Sequence, residues 1–481
     1  MDNRTLLPPE FINKMSDILP KTLALSDFLD ACQRPLRPAV RVNTLKISID
    51  DFKLLASEHN WQLSSIPWCT EGFWIDAGEQ LTPLGNSFEH LSGLCYLQEA
   101  SSMLPVSALS HFFKTDEHST ILDMAAAPGS KTTQLAAQMN NQGLLIANEY
   151  SASRVKILHA NMQRCGIKNV ALTHFDGKIF GSWLENTFDA ILLDAPCSGE
   201  GTVRKDKHAM KNWSQSSIES IALTQQALIE SAFYALKEDG ILVYSTCTLS
   251  LEENQDICHA LKERFTDCVE FLNLSDLFKG ADKAATTEGF LHVWPQIYDT
   301  EGFFVAAIRK VGKTTAPSVK KRLGKFPFIR PTRQKEAELY EYFETQFGIT
   351  NITGMLYQRD QEFWLFPDPI KALIPKIRFS RLGIKIAEEF GSGRKSGFKS
   401  MHEFLTCFGA QATKNVLILN AEQAQTFYQG RDIRELHSEI RSGEVLLSYR
   451  NTVIGFGKVL NNRIKNNLPR ELIRDNNIFT K

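Results

Sequence analysis

No apolar run approaches the roughly 18 residues that a membrane-spanning helix needs, so a membrane protein is not expected. The first residues, MDNRTLLPPEF, have neither a basic start nor an apolar stretch that would direct secretion. The nine cysteines include no CxxC pair. Scattered cysteines without a secretion signal read as reduced thiols in the cytoplasm, which argues against a disulfide framework and a zinc site. Internal repeats and low-complexity tracts are absent as well.

What is present is a chain of 481 residues, 43% hydrophobic and 23% charged. Such a composition excludes extensive disorder, and the length suits about two to four domains. The formal net charge of −1 hides an asymmetry. Residues 1–310 carry −12 and residues 311–481 carry +11. A basic appendage on a mildly acidic body points to an anionic polymer or surface as partner.

Residues 1–115 mix helical and strand patterns in a βαβ-like order: a strand over Pro38–Leu45, a helix over Ile49–His59 and a strand near Phe73–Asp76. From 116 to 310 strand and helix alternate. Strands are expected over Thr120–Met124, Gly143–Ala147, Val170–His174, Phe188–Leu193, Gly240–Ser245 and Phe303–Ile308. Helices are expected over Lys131–Met139, Ser151–Cys165, Ser217–Leu236 and Leu251–Arg264. This order implies an α/β fold with a parallel sheet covered on both faces. Residues 311–385 start with a basic linker, to about 330, and continue as a small domain. Residues 386–481 hold a basic Gly/Ser patch, Gly391–Ser400, and an alternating region that suits hairpins, with Asn451 at a turn.

Ligands of such sheets bind beyond the carboxyl ends of the strands. After the first strand comes Asp123-Met124-Ala125-Ala126-Ala127-Pro128-Gly129-Ser130-Lys131-Thr132. Small residues there let a ligand approach the backbone, and the following helix offers free N–H groups. The loop has neither Walker A nor GxGxxG spacing. Glu149 follows the second strand and suits ribose hydroxyls. Asp176 follows the third and suits an exocyclic amine of adenine. Two cysteines end up on one sheet edge, in Asp194–Gly201 (DAPCSGEG) and Ser245–Thr248 (STCT).

Those motifs resemble the Sun family of S-adenosylmethionine (SAM)-dependent RNA cytosine-carbon-5 methyltransferases. Arg41–Lys46 (RVNTLK), Gln98–Met103 (QEASSM) and Gly302–Ala306 (GFFVA) are similar to further family segments, and the resemblance spans roughly residues 20–310. It implies a Rossmann-like methyltransferase domain at 116–310 and an N-terminal α+β RNA-binding subdomain at 1–115; the C-terminal hairpin region is separately similar to a PUA-type RNA-binding module, which gives a PUA-like β domain at 386–481. Length and C-terminal extension look most like the bacterial members that act on 16S ribosomal RNA. The implied cofactor is SAM, held by Ala125, Ala126, Ala127, Pro128, Gly129, Ser130, Lys131, Glu149, Asp176 and Asp194. The implied partner is 16S ribosomal RNA, within the small ribosomal subunit, met by a monomer.

Carbon 5 of cytosine is a poor nucleophile until a thiolate adds at carbon 6. The resemblance makes Cys247 that nucleophile, Cys197 the residue that assists product release, and Asp194 the group at ring nitrogen 3. DNA cytosine methyltransferases use a Pro-Cys cysteine instead, which would favour Cys197; the Thr246-Cys247 motif favours the RNA-type arrangement. Arg204, Lys205, Lys207 and Lys211 are candidates for the RNA backbone. His292 stands where the family commonly has arginine, which weakens a phosphate contact there. Trp61, Trp68 and Trp74 read as core. Transfer RNA as the substrate, or a non-catalytic assembly factor, are the competing readings; the intact Cys247 and Pro128-Gly129 speak against the second.

Overall fold

A computed structural model describes residues 7–78, 83–321, 323–391, 397–434 and 442–475. Its centre is a nine-stranded sheet. Five strands run parallel, in the spatial order Leu236–Thr246, Phe188–Asp194, Thr120–Asp123, Leu144–Asn148 and Val170–Thr173. Thr120–Asp123 is first in the chain and central in space. The connections leave it in opposite directions, so a crevice opens at its carboxyl end. Antiparallel to Leu236–Thr246 lies Phe303–Lys310, flanked by Val269–Leu272 and Leu291–Val293.

Alternate residues of each parallel strand feed two separate cores, as the two-residue period of a strand requires. Ile121, Leu145, Ala190 and Val243 face the helices Leu104–Phe112, Ser130–Gln138 and Ala152–Cys165. Leu122, Ile146, Ile191 and Leu242 face Gln215–Ala235 and Gln255–Arg264. The helix Ala152–Cys165 stops where Gly166 adopts a φ of 72°, a left-handed cap that glycine accepts without strain. The expected α/β class is what the chain adopts.

The N-terminal region differs from its expected βαβ order. Ala39–Val42 pairs antiparallel with both Cys69–Asp76 and Cys95–Leu97, and Gln62–Ile66 closes a hairpin with Cys69–Asp76. The hairpin reverses the chain before it returns to the first strand, which a strand–helix–strand pattern cannot reveal. Trp61 and Trp68 are buried as expected; Trp74 is half-buried beneath the Arg37 guanidinium, 4.3 Å from the ring centre.

The RVNTLK segment fastens this subdomain to the central one. Arg41 is buried, and its guanidinium donates to Gln98 Oε1 (2.9 Å) and Thr133 Oγ1 (2.7 Å). Asn43 donates to the carbonyls of Gly93 and Cys165. The Lys46 ammonium donates to those of Ser92 and Arg164, and burial pulls its pKa down to about 8.

The segment read as a linker is pinned rather than free. Ala316 N–H donates to Glu185, and Phe326 and Phe328 pack on Tyr357, Trp364 and Phe366. A four-stranded sheet follows, in the order Met355–Arg359, Glu362–Phe366, Ile384–Phe390, Gly397–Ser400. The division expected at 385/386 therefore falls inside a strand. The cause is the pairing of Ile384–Phe390 with Glu362–Phe366, a contact between distant segments. Of the basic Gly/Ser patch, residues 392–396 lie outside the described residues.

The last sheet is five-stranded. Its long hairpin, Gly443–Tyr449 with Thr452–Leu460, turns at Arg450 and Asn451, with φ of 47° and 58°. Two successive positive φ values make the two-residue turn that matches strand twist, and Asn451 lies where the sequence predicts a turn. This C-terminal unit reaches back to the N-terminal one. Phe88, Leu91 and Leu94 share a core with Phe427, Tyr428 and Val445. Full burial of Phe88 alone contributes about 2 kcal/mol to that seam. No helix among the described residues is long and apolar enough to cross a membrane.

Candidate active site

The strands Phe188–Asp194 and Leu236–Thr246 run parallel and in register at their ends, with Asp194 opposite Ser245. The next residues on each side carry the two candidate thiols. Cys197 Sγ and Cys247 Sγ stand 3.3 Å apart, and both are partly exposed. None of the other seven cysteines forms such a pair among the described residues; Cys32, Cys69, Cys95, Cys165 and Cys258 are buried fillers. The Cys197 thiol is pushed well above its ordinary pKa, first by its hydrogen bond to Cys247 and then by burial.

Two buried carboxylates hold the cysteine loops together. Glu200 accepts from Thr248 Oγ1 (2.8 Å), Ser250 N–H (2.8 Å), Ser250 Oγ (2.7 Å) and Trp213 Nε1 (2.7 Å). Glu253 accepts from Ser198 N–H and Gln225 Nε2, both at 2.9 Å. Ser198 and Thr248 also share a hydrogen bond of 2.7 Å. Gly201 N–H donates to the Cys247 carbonyl, and Gly302 N–H donates to the Gly201 carbonyl. A Cβ on Gly201 would lie 2.0 Å from Gly302 O, so only glycine permits this approach. The sequence assigns no role to Glu200, inside DAPCSGEG, or to Glu253, eight residues after Ser245. An acidic side chain beside glycine or inside a polar turn was the available signal, and its burial is visible only in three dimensions.

Asp194 and Lys131 form the polar floor beside the thiols. Lys131 Nζ lies 2.8 Å from Asp194 Oδ2 and donates to Ser102 Oγ at 2.9 Å. Asp194 Oδ1 accepts from Ser245 Oγ at 2.7 Å. Burial disfavours the ammonium, but the Asp194 carboxylate outweighs it, and Lys131 is held above its ordinary pKa. A second acidic pair adjoins this floor. Glu301 N–H donates to Glu99, and burial together with the Glu99 charge raises the Glu301 carboxyl to about 7.

The loop at Ala125–Lys131 fits a small ligand. Gly129 has a φ of 109°, and a Cβ there would lie 2.9 Å from Met162 Cε. Asn161 Nδ2 and Arg154 grip the carbonyls of Pro128 and Ala127 from the neighbouring helix. Asp123 at the strand tip is buried; one oxygen accepts from Thr132 Oγ1 (2.6 Å) and the other has no partner. Burial lifts this carboxyl to about 7. An unpartnered buried carboxylate oxygen suits a ligand that brings a donor. Glu149, also buried, accepts from Ser151 N–H at 2.8 Å at the tip of the next strand. Asp176 lies exposed one strand further on and accepts from Lys178 N–H. The residues expected to bind SAM thus line one edge of the sheet in order, and their character fits a ribose, an adenine amine and an amino-acid group.

One expectation fails, that for Arg204, while the weakened phosphate contact expected at His292 agrees with its burial. Arg204 is not available to RNA. Its buried guanidinium donates to the carbonyls of Arg34, Pro35 and Thr300 and to Asp299 Oδ1 at 2.7 Å. It ties the segment after the second helix to the Asp299–Thr300 loop. Lys205, Lys207 and Lys211 are exposed on the same turn. His292 is buried against Trp294 and Phe304, with its pKa lowered to about 4 by burial, so it contacts no phosphate from the surface.

Comparison with known proteins identifies the family. The family model described as 16S rRNA methyltransferase RsmB/F matches residues 110–309. Those for the N-terminal, pre-PUA and PUA domains of RsmF match residues 7–100, 328–408 and 414–474. Ribosomal RNA small subunit methyltransferase F of Psychromonas ingrahamii is 70% identical over the full length of both chains. The protein of that name from Vibrio parahaemolyticus is 54% identical, again over 100% of both. A solved methyltransferase homologue from Pyrococcus horikoshii is 33% identical with a TM-score of 0.52, covering 63% of this chain and 100% of its own. The chain belongs to the RsmB/F family of 16S ribosomal RNA methyltransferases, and within it to the RsmF proteins.

Proposed function

We propose that the protein methylates carbon 5 of a cytosine in 16S ribosomal RNA, with Cys247 as the attacking thiol and SAM as the donor. The observation that carries this reading is the pair of sulfurs 3.3 Å apart beside the Asp194–Lys131 ion pair, at the crevice of the sheet. Ala125 to Lys131, Glu149 and Asp176 would hold SAM, with Asp194 at its border. When bound, SAM supplies an electrophilic methyl group.

The remaining steps belong to side chains of this chain. Cys247 adds to carbon 6 of the cytosine and makes carbon 5 nucleophilic. In its protonated form Asp194, positioned by Ser245 and Lys131, donates its proton to ring nitrogen 3 as the negative charge of the addition develops there. After methyl transfer the carbon 5 proton leaves to a base and the Cys247–carbon 6 bond breaks; an S–H on Cys197 can donate to the departing Cys247 sulfur, which suits a role in releasing the methylated base. The cytosine must be unstacked to reach the thiol. Exposed cations at Lys205, Lys207 and Lys211 lie on the turn after Cys197, where the flanking backbone would pass. On this reading the protein works as a monomer in the cytoplasm, on the small-subunit RNA.

Bisulfite mapping of 5-methylcytosine, in ribosomal and transfer RNA from cells with and without the protein, tests the reading. One cytosine of 16S RNA should lose its mark without the protein. A loss confined to transfer RNA would sink it.

A further inference from the structure

Far from the thiols, residues 323–328 and 374–382 enclose a cavity of about 360 Å³. It sits where the two-residue strand Arg381–Leu382 extends the central sheet beside Val170–Thr173. That strand is five steps across the sheet from the one that precedes Cys247. At about 4.8 Å per step the separation is roughly 24 Å, so the cavity cannot receive the target base.

Its lining pairs rings with cations. Phe326, Phe328 and Trp364 supply the rings, and Phe326 and Phe328 are half-buried. Arg359 lies over both Phe328 and Trp364, and Arg381 lies over Trp364 at 4.7 Å. Those two arginines are matched by Glu362 and Glu403. Lys325 and Arg378 on the rim are exposed and make no ion pair among the described residues. The Arg378 guanidinium closes over Gly324, 2.9 Å from where a Cβ would stand.

The surrounding chain keeps this potential positive. No acidic residue occurs between Glu301 and Glu336, or between Asp368 and Glu388. These two acid-free stretches supply most of the cavity wall; Arg359 and Trp364, beside Glu362, supply the rest. Lys321 responds to the crowding: burial and the nearby Lys376 hold its pKa below the ordinary value. A cationic rim alone would hold any phosphate. Aromatic faces inside such a rim favour unpaired bases, which stack on rings while their backbone follows the charge.

We propose that this cavity binds a single-stranded segment of the substrate RNA, one or two unstacked nucleotides, at a point remote from the methylated base. The inference rests on the RNA-methyltransferase reading for its partner. Its measurement, however, is binding and not methyl transfer.

The full-length protein is titrated into a labelled single-stranded RNA, and into a blunt RNA duplex of equal length, by fluorescence anisotropy over a range of salt. The double charge reversal Lys325→Glu/Arg378→Glu should weaken single-strand binding about tenfold. It should also lower the salt slope by about 1.4, the value for two lost phosphate contacts. Phe326→Leu, which keeps an apolar side chain, should cost about fivefold on the single strand and less than twofold on the duplex. Unchanged affinity and slope in the charge variant would overturn the site. Equal losses on single strand and duplex in Phe326→Leu would reduce it to a backbone patch and overturn the nucleotide pocket. The SAM dissociation constant of each variant reports folding. A defect in methylation by the parent protein would count against the Cys247 assignment and leave these readouts intact.

Discussion

Cys197 Sγ lies 3.3 Å from Cys247 Sγ, although 50 residues separate them in the chain. Their loops are held by Glu200 and Glu253, so the pair is set by the scaffold before any RNA arrives. Two sulfurs this close allow two opposite assignments of the nucleophile, and a pair of variants separates them. Cys247→Ser should lower methyl transfer by about 10⁴-fold or more. Cys197→Ser should leave protein covalently attached to RNA, seen as a slow band that survives denaturant. Should that band form only with Cys247→Ser, the roles are reversed.

Gly201 and Gly302 touch where the cysteine loop passes the last long strand. Gly201→Ala would force the loop outward and misplace Cys197 against Cys247. Methyl transfer should fall by roughly 10²-fold, the usual result of an ångström's displacement. The cofactor loop lies elsewhere on the sheet, so SAM affinity from calorimetry should stay within about twofold. A parallel fall in both would show that the loop is not a local feature.

Asp123 gives a pH signature. Its carboxyl titrates near 3.8 when unfolded and about 7 in the folded protein, because burial disfavours the charge. Well below pH 3.8 the group is protonated in both states and has no effect. As pH rises toward 7 the unfolded chain releases this proton first, so the group increasingly lowers stability, by on the order of 4 kcal/mol above pH 7. Asp123→Asn removes the ionisation. Without SAM, its melting temperature relative to the parent should climb between pH 5 and pH 8. A constant gap would contradict the buried charge.

Lys458 on Thr452–Leu460 and Lys465 on the next antiparallel strand, Arg463–Asn466, are direct partners, and both are exposed. Like charges placed opposite one another are unfavourable, and an anionic partner would relieve them. The double variant Lys458→Glu/Lys465→Glu should weaken 16S RNA binding several-fold at low salt and lose part of the salt dependence. Filter binding at two salt concentrations would show it, and identical curves would remove this surface from the interface. Point changes are the better test here, because deletion from residue 386 would cut the strand Ile384–Phe390.

Much of the central domain could be read from the sequence because its elements are local. Runs such as LLIAN at Leu144–Asn148 are continuous and apolar, as a doubly covered strand must be. The cofactor loop and both cysteines follow such runs directly, so their place on the sheet edge follows from strand ends alone. What the sequence hid was long-range. Arg204 looks like any surface cation until its carbonyl partners from residues 34, 35 and 300 are in place. His292 gave no hint of burial. The pairing of Arg381–Leu382 with Val170–Thr173 joins segments about two hundred residues apart, and no periodicity announces it. The linker failed for a related reason: basic, proline-containing chain reads as flexible, yet Phe326 and Phe328 anchor it.

Phe88 near the beginning of the chain meets Tyr428 and Tyr449 near its end, ring edge against ring face. The first and last units are thus clamped to one another as well as to the centre. Parts that share a seam cannot be repositioned independently, so the spacing between the terminal units and the two thiols is a fixed dimension of the protein. An RNA that bridges them must carry the matching dimension in its own fold. If the proposed cytosine methylation holds, selection of one cytosine among many becomes a matter of measurement, in which the folded substrate is gauged against a rigid rule.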